Sequence, residues 1–161
     1  MAWQLIGKAV VGAPADVHSS QQNELGMTCE GRNGSDRGEF IYLSGVASLA
    51  ANDLVVFNED YTPVRTLAAT DSAGPVAVAH AAVDAATEYG WFQIYGPATV
   101  NCADTVLADK QLYLTSTAGR VDDADGAGDA VIGLTSQTAG ASNTLTAFLN
   151  YPHLNAAAAI D

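Results

Sequence analysis

The chain has 161 residues, of which 48% are hydrophobic, enough for one domain with its own core, and no apolar run is long enough to form a transmembrane helix. Six lysines and arginines stand against 18 aspartates and glutamates, and the resulting net charge of −12 disfavours nucleic acid and anionic membranes as partners. The N-terminus has neither the basic start nor the apolar stretch of a secretory signal, so we expect assembly in a cytoplasm.

Residues 1–38 differ from the rest of the chain. A short apolar segment is followed by a polar one, and four glycines between residues 26 and 38 then interrupt any regular periodicity. This pattern predicts an extended N-terminal arm and loop with at most one short strand. The arm is too apolar for a free tail, so we expect its large apolar side chains to form a partner interface on a neighbouring subunit. These side chains are Trp3, Leu5, Ile6, Val10 and Val11.

Strand-forming segments begin at Glu39 and alternate with turn-rich segments as far as Pro152. The segments rich in β-branched and aromatic residues are 40–43, 54–57, 64–67, 76–79, 91–95, 111–115, 131–134 and 144–149. Residues 80–87 contain several alanines, which favour a helix, but they are few and lie between strands, so a loop is an equal alternative. We therefore predict a β domain over residues 39–152, with residues 153–161 as a C-terminal tail.

The segment 88–97 contains the predicted central strand, residues 91–95, with Gly90 and Gly96-Pro97 at its ends. Because strand side chains alternate between faces, Trp91 points to one side and Phe92 and Ile94 point to the other. Both faces carry large apolar groups, which indicates a strand covered on both sides. We expect these three residues to anchor the core.

The predicted strands occur in an order that repeats. The segment 40–45 corresponds to 92–96, the strand 54–57 to 112–114, and the loop and strand 71–78 to 125–132. The closing strands 91–94 and 146–149 correspond as well, so the central segment ends one unit and begins the next. Two such units favour an all-β fold, a small barrel or sandwich built from two similar halves.

The acidic segment 122–129 is the most plausible candidate for a metal site, since clustered oxygen ligands bind calcium. Its spacing departs from the EF-hand pattern: counted from Asp123, the fifth position is Ala127 and the twelfth is Leu134. We expect a solvated hairpin loop, with adventitious metal binding as the alternative.

No other motif in the sequence indicates chemistry. His18, His80 and His153 are isolated, and no spacing typical of a zinc site or of an activated nucleophile is present. Cys29 and Cys102 are expected to be free, unreactive thiols. The prediction is therefore a non-enzymatic protein without a catalytic site, metal or cofactor.

Four short segments form a recognisable set: residues 38–46, 74–79, 89–96 and the Gly-Asp-Ala-Val-Ile-Gly sequence at 128–133. Together they resemble the decoration, or cement, proteins of tailed-bacteriophage capsids, and the resemblance covers about residues 25–152. The resemblance implies a β-tulip-like domain on the outer surface of the virion. It also implies binding to the major capsid protein, clamping of neighbouring capsid subunits and association as a homotrimer. The family has no catalytic residues that would carry over to this chain.

A second interpretation stays open from the sequence. The aromatic segment 89–95 is also compatible with a stacking platform for a carbohydrate, which would fit a receptor- or carbohydrate-binding β domain of a phage tail fibre. We expect these aromatic side chains to be used mainly for core and subunit packing, because aromatic residues dominate buried area in both settings.

Overall fold

A computed structural model describes residues 2–6, 10–66, 72–103, 105–125 and 130–155, and within them the protein is all-β, as predicted. Twelve strands form one antiparallel sheet system. They are β1 (Gln4–Ile6), β2 (Val17–His18), β3 (Thr28–Asn33), β4 (Asp36–Ser44), β5 (Leu54–Phe57), β6 (Pro63–Arg65), β7 (Gly74–Ala79), β8 (Tyr89–Asn101), β9 (Gln111–Leu114), β10 (Val121–Asp122), β11 (Ala130–Ser136) and β12 (Thr144–Leu154). Over these described ranges, no helix has the length and hydrophobicity needed to cross a membrane.

The strand pairing repeats in two units that share β8. In the first unit β4 pairs with β8, β8 with β7, β7 with β5, and β5 with β6. In the second, β8 pairs with β12, β12 with β11, β11 with β9, and β9 with β10. The beginning of β8, through Tyr95, pairs with β4, and its remainder pairs with β12. The pairing thus agrees with the predicted order, in which one segment closes the first half and opens the second.

Strands β5 and β7 separate two hydrophobic cores. One face of each strand contributes Leu54, Val56, Val76 and Val78 to a core shared with the second unit. The other face contributes Val55, Phe57, Ala77 and Ala79 to a core formed with β4 and β8. A strand buried on both faces has apolar residues at consecutive positions, which explains the uninterrupted run Leu-Val-Val-Phe of β5.

The central strand is covered on both sides, as its alternating pattern predicted. Trp91 is 1% exposed and packs with Phe40 and Tyr42 in a third, aromatic cluster. Phe92 is fully buried on the opposite face, within the core of the first unit. Ile94 is half-buried against that same core.

The expected boundary at residue 38 falls inside a strand and is corrected by the pairing. Strand β3 pairs with β4 along its whole length, with Gly31 opposite Gly38, and β1 adds to the outer edge of β3. The glycines that appeared to break periodicity make room for aromatic rings. A Cβ at Gly31 would lie 2.6 Å from the ring of Phe40, and one at Gly38 would lie 2.9 Å from the ring of Trp3.

The expected C-terminal boundary is corrected as well. Strand β12 continues past Pro152, and His153 and Leu154 pair with Pro75 and Gly74 of β7. Residues 156–161, the rest of the predicted tail, lie outside the described residues. The alanine-rich segment 80–87 is irregular, which settles the choice between helix and loop in favour of the loop.

Candidate binding surface

An apolar groove lies where three strands meet. Each of β7, β8 and β12 pairs with the other two, and the strands diverge between those pairings. The resulting groove has a volume of about 360 Å³ and is open to the surface. It is lined by Phe57, Gly74, Pro75, Val76, Ile94, Tyr151, Pro152, His153 and Leu154. Both units therefore contribute to it.

The groove exists because β12 changes its pairing partner at Tyr151. The strand pairs with β8 as far as Asn150 and with β7 from His153 onward. At the change, Tyr151 has a φ of 47°, an uncommon conformation for a bulky residue, and its side chain is left 52% exposed. On the neighbouring strand, Gly133 tolerates the irregularity, since a Cβ there would lie 2.6 Å from the carbonyl oxygen of Asn150.

Tyr151 is held in place by Glu39 and by a second tyrosine. Its hydroxyl donates to Glu39 Oε2 at 2.7 Å, and its ring centroid lies 5.3 Å from that of Tyr95. The hydrogen bond to the carboxylate raises the pKa of Tyr151 to about 12. Tyr95 in turn contacts Phe148 edge-on, with centroids 5.5 Å apart. The exposed ring is therefore fixed, and its phenol stays protonated at neutral pH.

A smaller, polar depression adjoins the groove on the other side of Tyr151. It has a volume of about 230 Å³ and is lined by Glu30, Arg37, Gly38, Glu39, Tyr95 and Tyr151. Arg37 Nη2 lies 3.4 Å from Glu30 Oε2, but both side chains are about 60% exposed, so this ion pair is weak. We call this depression, with its two carboxylates and one guanidinium, the acidic rim of the groove.

The five residues predicted as a partner interface do not lie together on one free surface. Trp3, Leu5 and Val10 pack against the chain's own aromatic cluster around Trp91. Ile6 and Val11 are 37% and 48% exposed. This corrects the picture of an arm that leaves the domain, and among the five predicted interface residues Ile6 and Val11 are the most exposed.

Backbone hydrogen bonds reinforce this attachment of the arm. The carbonyl of Val11 accepts from Trp91 Nε1 at 3.2 Å and from Asn23 Nδ2 at 3.0 Å. The amide of Val11 donates to Asn23 Oδ1 at 2.9 Å. A buried tryptophan needs an acceptor for its indole N–H, and here the arm supplies it.

Sequence reasoning placed Ile94 in the core but did not anticipate the groove. The other main residues of the groove lining, Phe57, Pro75 and Tyr151, are far apart in the chain, and only the long-range strand pairing brings them together. The one local signal is Tyr151-Pro152, which interrupts the alternation of β12. From the sequence alone, Pro152 indicates the end of the β domain.

The histidines, the cysteines and the described part of the acidic loop, residues 122–125, do not form a common cluster. His18 Nδ1 lies 2.7 Å from the hydroxyl of Tyr42, and His80 Nε2 lies 2.7 Å from Gln93 Oε1. Cys29 and Cys102 are buried thiols outside any disulfide. Among the residues that the structure describes, no three histidine, cysteine, aspartate or glutamate side chains are grouped so that they could hold a metal ion.

The acidic loop is only partly within the described ranges. Asp123 Oδ2 accepts a hydrogen bond from the backbone N–H of Leu107 at 2.8 Å, and Asp122 Oδ1 accepts one from the N–H of Asp123 at 2.7 Å. These two carboxylates thus shape the local backbone. Residues 126–129 of the loop lie outside the described residues.

Comparison with known proteins adds no relative: no family model, no curated protein and no solved structure matches this chain.

Proposed function

We propose that this protein is a structural subunit of a tailed-bacteriophage virion that binds the outer surface of the head, contacts the major capsid protein and clamps neighbouring capsid subunits. The observation that carries the proposal is the apolar groove at the junction of the two units. An open apolar surface with a fixed aromatic side chain at its edge is typical of a protein–protein contact. The resemblance of residues 25–152 to decoration proteins supplies the identity of the partner.

The architecture supports a mechanical role. A clamp holds its partners in a fixed geometry, so its contact surface has to be rigid. Here the groove is built around three mutually paired strands, and Phe57 and Leu154 of its lining belong to the hydrophobic cores. The net charge of −12 is also consistent with a position outside the shell, away from the packaged nucleic acid.

The test is cosedimentation of the purified protein with empty expanded heads of the phage that encodes it. We expect saturable binding, with many copies per head, and weaker binding by Ile94→Asp, which places a charge in the groove. Leu107→Asp is the matched control, because Leu107 is 58% exposed and does not line the groove. Absence of wild-type protein from the sedimented heads would refute the proposal.

Self-association as a homotrimer is part of the same proposal. Sedimentation equilibrium at several protein concentrations measures it directly. A species of three times the 16.5 kDa chain mass is expected, and a monomer at every concentration would remove the trimer from the proposal while leaving head binding open.

A second candidate function is favoured by the exposed ring of Tyr151 beside Tyr95. Paired aromatic rings next to carboxylates also suit a carbohydrate, as in the receptor-binding domain of a tail fibre. The copy number in the virion separates the two candidates. Copies over the whole head favour the decoration protein, and a few copies at the tail favour the fibre.

A further inference from the structure

We propose that the groove and its acidic rim bind an extended peptide segment of a partner protein, with one large apolar side chain in the groove and a lysine or arginine one or two positions away on the rim. This inference deepens the proposed function and rests on it only for the identity of the partner as a capsid subunit. The chemistry of the segment follows from the groove itself.

The groove is suited to one apolar side chain. Its walls are formed almost entirely by apolar groups, including Phe57, Ile94 and Leu154, and a volume of about 360 Å³ exceeds that of a leucine or phenylalanine side chain. Pro75 and Tyr151 at its edge are exposed, so a side chain can enter from solvent. Burying such a side chain removes apolar surface of both partners from water.

The rim selects for positive charge. Glu39 uses Oε2 for the hydroxyl of Tyr151, and its Oε1 has no hydrogen-bond partner among the described residues. Glu30 is exposed, and its only ion pair in the described chain, to Arg37, is long and solvent-exposed. Arg37 offsets one of the two carboxylates and leaves the rim a net charge of −1, so a cation placed beside Glu39 is attracted by that carboxylate and by the rings of Tyr95 and Tyr151.

The overall charge argues against a second copy of this chain as the occupant. Each copy carries a net charge of −12, with only six lysines and arginines in the whole sequence. Bringing another acidic surface to a rim that already holds Glu30 and Glu39 adds repulsion between like charges. A segment with a basic residue gains attraction at the same place.

The experiment is a titration of the isotope-labelled full-length protein, followed by NMR, with four capped hexapeptides. The four peptides differ only at two positions. The position meant for the groove is Leu or Ser, and the position meant for the rim is Arg or Glu, which gives the Leu/Arg, Leu/Glu, Ser/Arg and Ser/Glu peptides. We expect the Leu/Arg peptide to shift resonances of Ile94, His153 and Leu154 and to bind about three- to tenfold more tightly than the Leu/Glu peptide. This range corresponds to one exposed charge contact combined with a cation–π contact.

Two variants locate the selectivity. Glu39→Gln is expected to remove most of the difference between the Leu/Arg and Leu/Glu peptides, and salt is expected to reduce that difference in the wild type. Leu107→Ser serves as the control and leaves both affinities unchanged. Equal affinity of wild-type protein for the Leu/Arg and Leu/Glu peptides would overturn the inference, as would shifts confined to residues outside the groove. The inference would also be overturned if, without any peptide, the chemical shifts of the groove residues changed with protein concentration, because a second copy would then be the occupant.

The same variants separate this inference from the proposed function. If wild-type and Glu39→Gln protein bind phage heads equally well and no peptide binds the groove, the inference fails while the head-binding function stands. If the Leu/Arg peptide binds as expected but heads bind no protein, the peptide site stands and the proposed function fails.

Discussion

His80 shows how a single polar side chain is accommodated beside the core. Its ring contacts Phe40 edge-on, with centroids 5.3 Å apart, and its Nε2 lies 2.7 Å from the side-chain oxygen of the fully buried Gln93. Gln93 Nε2 donates to the carbonyls of Tyr95 and Pro97, where β8 passes from the first unit to the second. The imidazole thus supports the glutamine that fixes this crossing.

Burial lowers the pKa of His80 below its ordinary value of 6.5, and the hydrogen bond to Gln93 only partly opposes this. The unfolded chain therefore binds more protons than the folded one between the lowered pKa and about 6.5. The free energy of unfolding should accordingly fall as the pH drops from about 6.5 towards the lowered pKa. Urea unfolding at pH 7.5 and 5.5 measures this loss.

The variant His80→Gln should lose less stability over this pH range than the wild type, because glutamine does not titrate. His153→Gln is the control, since His153 is exposed at the groove. The carboxylates contribute equally to the pH dependence of unfolding in all three proteins, so their contribution cancels in the comparison. Identical pH dependence in wild type and His80→Gln would show that His80 is not coupled to folding.

At the scale of elements, strands with strong local patterns were predictable and those defined by long-range contacts were not. The uninterrupted apolar run of β5 and the alternation of β12 identified them from sequence. Strand β3 was missed because Gly31 resembles a breaker, whereas it is required for close packing against Phe40. Local propensity does not report such a contact between neighbouring strands.

The same reasoning explains why the role of the arm was only partly predictable. Its apolar content led to the prediction of an interface on a neighbouring subunit, because the sequence does not say whose surface such a segment covers. The structure places Trp3 edge-on against Phe40, with centroids 5.4 Å apart, and joins Val11 to Trp91. The arm therefore belongs to the domain's own packing.

Deleting residues 1–17 should consequently lower the melting temperature, since it removes β1, uncovers Phe40 and leaves the indole N–H of Trp91 without its acceptor. An unsatisfied buried donor alone costs about 1–3 kcal/mol. Circular dichroism of the truncated and full-length chains measures the shift. An unchanged melting temperature would restore the idea of an arm independent of the domain.

A double variant, Ile6→Ser with Val11→Ser, is the matched control for that deletion. It removes the two exposed apolar side chains of the arm and leaves its backbone contacts in place. We expect its stability to stay close to that of the wild type. A loss of head binding in this variant would assign the outer face of the arm to the partner interface.

At the scale of the whole molecule, the two units are joined by more than the shared strand. Asp53 is 2% exposed and accepts hydrogen bonds from Arg65 Nε at 3.0 Å and from Asn101 Nδ2 at 2.9 Å. Arg65 Nη2 also donates to the carbonyl of Ala118 at 2.8 Å, in the loop after β9. Residues of the first unit therefore hold residues of the second through a buried carboxylate and its guanidinium partner.

The repeat in the sequence indicated two units, but it did not reveal how they are connected. Corresponding segments share apolar patterns because each must fill a core, and that signal is local. The contact between Asp53, Arg65 and Ala118 joins three places that the repeat does not align. The groove has the same origin, since it forms only where strands from both units meet.

The hydrogen bonds of Asp53 and Arg65 between the two units predict that the domain unfolds as one cooperative unit. Arg65→Met removes the guanidinium and leaves the carboxylate of Asp53 buried, which should lower the free energy of unfolding by about 3 kcal/mol. The exposed pair of Arg37 and Glu30 supplies the control: Arg37→Met should cost less than about 1 kcal/mol, because solvent screens that pair.

Two probes decide whether the units unfold together. Both tryptophans, Trp3 and Trp91, lie on the aromatic cluster beside β4, so their fluorescence reports only that side of the first unit. Far-UV circular dichroism reports the strands of both units. In wild type and in Arg65→Met we expect the urea transitions followed by fluorescence and by circular dichroism to coincide. Strand β8 pairs with both β4 and β12, so losing its pairing with β4 also disturbs its pairing with β12. Separate midpoints, with the tryptophan signal changing apart from the dichroism, would show that the halves are independent and that the shared strand does not couple them.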